Sequence, residues 1–134
     1  MSYENKSMKI ATITVRSLMG LLFTYASIAI LFKLVPQPEQ TGNMKIFMDG
    51  IAASGYLLTL LKLTELACGI ALLTGYFVPL ALIVISPVIV NIFFVHLFLA
   101  HEGLPIAIFL VLANSFLGYS YRKHFVTVLT AKKL

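Results

Sequence analysis

Apolar residues fall in four long runs, separated by short segments rich in Pro, Gly and charge. The first run covers residues 10–35. Arg16 breaks it near its start and Lys33 near its end, and Ser17 to Phe32 carries no charge. At about 1.5 Å per residue, a helix of this length crosses a hydrocarbon core of about 30 Å. Ser27-Ile28-Ala29 has the small-x-small form of a signal-peptide cleavage site. The apolar run continues past it, so the expectation is an uncleaved first span. The polar stretch from Pro36 to Asn43 is a loop. In Met44 to Ser54, Phe47, Gly50, Ile51 and Ser54 recur at helical spacing, while Lys45 and Asp49 fall elsewhere on the wheel. This predicts a short interfacial helix with Phe47 and Ile51 packed on the mouth of a bundle.

The second span is expected over 55–74 and contains Lys62 and Glu65. Gly75 to Pro79 is a tight connection, with Gly after one helix and Pro opening the next. The third span, 79–100, carries Pro87, which neighbouring helices can accommodate in a membrane. A turn at His101-Glu102-Gly103-Leu104 leads to the fourth span, 105–121. In the tail, Phe125, Val128 and Leu129 share a helical face ahead of Lys132 and Lys133, a pattern suited to a lipid surface. The expected fold is all-α: a four-transmembrane-helix up-down bundle with a short interfacial helix between helices 1 and 2, forming a single domain over 1–134.

Composition agrees. Hydrophobic residues make up 60% of the 134 residues and charged residues 11%. Soluble domains run at about 45–50% and about 25%. A soluble core of this size could not cover so much apolar surface. The net charge is +5, concentrated at the ends in Lys6, Lys9 and Arg16, then Arg122, Lys123, Lys132 and Lys133. Basic flanks favour the cytoplasm, so both termini are expected there. No basic stripe interleaved with aromatics is present, which argues against nucleic acid as a partner. The expected partners are the lipid bilayer and other membrane proteins or further copies of the chain.

Charges within spans are costly, from about 2.5–3.5 kcal/mol at a helix centre. Arg16 and Lys33 lie near span ends, where long side chains can reach the headgroups. Lys33, Arg122 and Lys123 read as membrane anchors. Lys62 and Glu65 lie deeper and, three residues apart, can pair on one face. Counting from the helix ends puts Tyr25, Asn91 and Asn114 near their depth, with His96 further along the third helix and Arg16 a second potential partner for Glu65. Together these residues are candidates for a buried polar site, weighed against simple interhelical hydrogen bonding. Lone Cys68 supplies no disulfide or CxxC pair and reads as a small buried hydrophobe. His96 and His101 lie roughly 140° apart around a helix, poor geometry for one metal. No catalytic signature is present, and no metal site is expected.

Several of these residues also carry a family likeness. Arg16-Ser17-Leu18-Met19-Gly20-Leu21-Leu22-Phe23 with the later Lys33 resembles the first helix of the DoxX family of small four-helix membrane proteins. Glu65-Leu66-Ala67-Cys68-Gly69-Ile70-Ala71-Leu72-Leu73-Thr74-Gly75 resembles its second helix, and Phe47 and Gly55 fit its connecting segment. Pro87 through Asn91 to His96, then Tyr121-Arg122 and Phe125, are similar to one subgroup. The resemblance covers nearly the whole chain. It implies a membrane partner of other proteins, in the inner membrane of a bacterium. The leading expectation is a noncatalytic partner or subunit of a membrane complex. The alternative is a subunit of a quinone-linked oxidoreductase, with Glu65, Asn91, His96 and Tyr25 at a quinone pocket. A third is a small transporter or proton path using Lys62 and Glu65.

Overall fold

The computed structural model describes residues 3–131, with side chains from residue 6. Lys132 and Lys133 lie outside the described residues. Every regular element among the described residues is helical: α1 (Tyr3–Leu31), α2 (Gly42–Ala53), α3 (Leu57–Thr74), α4 (Val78–Phe98), α5 (Leu104–Ser120) and α6 (Val126–Leu129). Short 3-10 turns, His101–Gly103 and Arg122–His124, flank α5.

The largest boundary correction is in the first helix, expected over 10–35. It starts at Tyr3 because a helix does not need apolar residues to continue, and the hydropathy run marks only its apolar part. It stops at Leu31 because Lys33 adopts a left-handed conformation, φ 52°. Leu34 N–H then donates to Ala29 C=O at 2.9 Å, and Lys33 N–H to Ile30 C=O at 3.3 Å. That pattern closes a helix C-terminus, usually with Gly at the left-handed position. The other boundaries shift by one or two residues. After α2, Ser54 Oγ accepts the Leu57 N–H at 3.0 Å and starts α3. Gly75 (φ 82°) and Phe77 (φ 58°) make the tight turn into α4.

α1 packs on α3 and α5, α3 on α4, and α4 on α5. These contacts enclose a core of Met19, Phe23, Leu72, Ile85, Ile89, Leu110 and Leu117. The outer surface is apolar as well, with Leu21, Leu60, Leu80, Val90, Phe98 and Leu112 all exposed. Water penalises so extensive an apolar surface, whereas lipid does not. Four segments, Lys6–Leu31, Leu57–Thr74, Val78–Phe98 and His101–Ser120, are long and apolar enough to cross a membrane. The inside-and-outside apolar pattern is that of an integral membrane protein.

Candidate functional site

α1 and α3 run antiparallel: Gly20 lies against Gly69 and Leu73, and Thr24 against Gly69. Small residues let the two backbones approach closely. One turn further along, the same register brings Ser27 to the level of Glu65. Both residues are buried, with 1% and 4% of their surface exposed. Ser27 Oγ and Glu65 Oε2 have no hydrogen-bond partner. Lys62 Nζ does approach Glu65 Oε2 at 2.9 Å. That is ion-pair distance but not hydrogen-bond geometry, so the carboxylate is charge-compensated and still under-satisfied. Buried polar atoms left in this state are uncommon, and each calls for a physical account.

Beside the pair, a cavity of about 240 Å³ lies between α2, α3 and α4. Lys62, Glu65, Asn91 and His96 give it a polar side. Ile30, Leu58, Leu61, Val88, Ile92 and Val95 give it apolar walls, and Met44, Met48 and Ile51 of α2 cover it. Gln37, from the loop before α2, also reaches the lining. His96 Nδ1 lies 3.1 Å from Ala100 C=O. A carbonyl can only accept, so Nδ1 carries the proton in the neutral ring and Nε2 keeps a lone pair. The imidazole packs so closely on Gly103 that a Cβ there would overlap it.

Four of the candidates therefore meet at one cavity: Lys62, Glu65, Asn91 and His96. Three do not. Arg16 Nη1 contacts the Tyr121 hydroxyl at 3.2 Å, and its guanidinium faces Gly75. Gly75 is ten residues past Glu65, about 15 Å along the helix, so Arg16 is no partner for the carboxylate. Asn114 Nδ2 donates to Ser86 Oγ at 3.1 Å and ties α5 to α4. Tyr25 is 64% exposed on the outer surface of α1, so it does not join an internal layer. Equal depth along antiparallel helices says nothing about which face a side chain occupies, which misplaces Tyr25 and Asn114; Arg16 lies at a different depth altogether, level with Gly75. The anchors Lys33, Arg122 and Lys123 are exposed beyond the helix ends.

The covering residues from α2 add two methionines to the expected pair. Ile51 lines the cavity together with Met44 and Met48, which the sequence reading did not single out, while Phe47 is half-buried outside the lining. Their spacing, i, i+4 and i+7, was a visible helical face. The Ser86–Asn114 and Thr12–Ser120 hydroxyl contacts had no comparable signal.

Fold and site together define a helical membrane protein with a covered, largely apolar cavity bordered by a buried ion pair. No family model matches this chain, and neither a curated protein nor a solved structure does.

Proposed function

We propose that this chain is a DoxX-like integral membrane protein that serves as a noncatalytic partner or subunit in a membrane complex, and that the cavity beneath α2 receives the polar head of a lipophilic molecule. In this reading the four long helices run up and down across the inner membrane of a bacterium. α2 lies in the outer interface, and both termini are cytoplasmic, following the basic ends. The observation that carries the proposal is the Lys62–Glu65 pair at an apolar-walled cavity. A cavity of about 150 Å³ can hold a benzene ring, so this one has room for a ring-sized head. The pair offers both a donor and an acceptor to it.

The quinone-linked reading is the second one. Its support is that Asn91 and His96 border the same cavity, where each can hydrogen-bond a carbonyl or hydroxyl.

The test is native purification in mild detergent, followed by mass spectrometry of co-purifying proteins and of extracted lipophilic molecules. The expected result is a defined partner and a ligand lost in a folded Glu65→Gln variant. A chain that purifies alone, with the same lipid extract for wild type and variant, would reject the proposal.

A further inference from the structure

A second cavity lies at the opposite end of the molecule, where α1 meets the end of α5. Its volume is about 430 Å³, and its chemistry differs from that of the first. Lys9 and Arg16 of α1 line it together with Arg122, Lys123 and His124 of the turn after α5. Among the described residues, no carboxylate lines it. Of the five acidic residues in the chain, Glu39, Asp49 and Glu102 belong to the other end, Glu65 is paired within α3, and Glu4 is in the first turn of α1. Four basic side chains, Lys9, Arg16, Arg122 and Lys123, thus converge on one concavity.

The arrangement is anchored. Thr12 Oγ1 donates to Ser120 Oγ at 3.0 Å and fixes α1 on α5. Arg16 is half-buried, held by the Tyr121 hydroxyl at 3.2 Å, and its Nε is buried without a partner. Arg122 is steadied by donating to Tyr119 C=O at 2.9 Å, with its guanidinium 4.3 Å above the Tyr119 ring. Met8 and Ile13 add an apolar edge. Guanidinium groups match phosphate geometry, and basic pockets between membrane helices take anionic headgroups.

We propose that this cavity binds a phosphate group, on the head of an anionic phospholipid or as a free phosphate, with Arg16 at its base and Arg122 and Lys123 at its rim. The site does not depend on the cavity under α2, and neither proposal requires the other.

The test uses the full chain in nonionic detergent, titrated separately with short-chain phosphatidylglycerol, short-chain phosphatidylcholine and inorganic phosphate. Phosphatidylglycerol should bind at least about tenfold more tightly than phosphatidylcholine. Arg122→Gln and Lys123→Gln should each weaken it about fivefold, at roughly one unit of surface charge apiece. Both residues lie outside the long helices, so these variants keep the fold. Lys45→Gln, at the far end, should change nothing. Displacement of the lipid by millimolar phosphate identifies the phosphate as the recognised group. Phosphate binding that the rim variants weaken, without preference between the lipids, assigns the site to free phosphate. Equal binding of both lipids with no phosphate binding, or rim variants that bind like wild type, would overturn the proposal.

Discussion

Gly20 on α1 and Gly69 on α3 face each other at backbone contact. A Cβ on Gly20 would lie 2.9 Å from the Gly69 carbonyl oxygen, and a Cβ on Gly69 would lie 3.0 Å from that of Gly20. A Cβ on Gly69 would also lie 2.9 Å from the Thr24 backbone nitrogen. Backbone cannot swing aside as a side chain can. Gly69→Ala should force α1 and α3 apart and destabilise the protein by about 1–3 kcal/mol, the usual cost of overpacking. Gly118 provides the control, since a Cβ there meets nothing within 4 Å. Gly118→Ala should be neutral or stabilising by up to about 1 kcal/mol. Thermal unfolding of both variants in detergent checks the contrast, and equal behaviour would refute the close-contact account.

The Lys62–Glu65 pair is predicted to behave as a unit. Its side chains are 17% and 5% exposed, so removing one leaves the other charge with little solvent. Lys62→Ala should cost about 3–5 kcal/mol. A Lys62→Met, Glu65→Gln double variant should recover most of that loss, because no bare charge remains. A double-mutant cycle read by denaturant titration measures the coupling. Additive losses would mean that the two groups do not interact.

Lys33 sits in a left-handed conformation, φ 52°, at the end of α1. For a residue with a Cβ this costs about 1–2 kcal/mol. Glycine avoids the cost and loses about 0.5–1 kcal/mol through unfolded-chain entropy. Lys33→Gly should therefore be slightly more stable, by about 0.5–1 kcal/mol. Lys33→Ala, which keeps the Cβ, should not gain. If both lower the melting temperature alike, the lysine's role as an anchor outweighs its backbone strain.

Cytoplasmic termini predict opposite labelling at two introduced thiols. Gln40→Cys should react with a membrane-impermeant reagent from outside, and Thr130→Cys only after the membrane is opened. Cys68 is buried and should stay silent. The reverse pattern would invert the topology.

Much of the fold was readable in the chain itself. The apolar runs locate four long helices because lipid demands length and apolarity, both one-dimensional properties. The breakers Pro36, Gly75 and Pro105 mark connections for an equally local reason. Lys62 and Glu65 could be paired from their spacing on one helix. Helix ends were less clear: the stop after Leu31 comes from a left-handed Lys33, a position where the sequence shows no glycine.

What the chain alone determined was therefore local: helix existence, the apolar character of every face, and the Lys62–Glu65 contact within a single helix. Only the tertiary structure decided which helix faces meet. It put Tyr25 outside, Arg16 with Tyr121, and Asn114 with Ser86. It also brought Asn91 and His96 to the cavity under Met44 and Met48. The physical reason is that a membrane helix is apolar all round. Hydropathy then gives no preferred inward face, and the rotation of each helix is set by contacts such as Gly20 on Gly69, which exist only once the helices are packed.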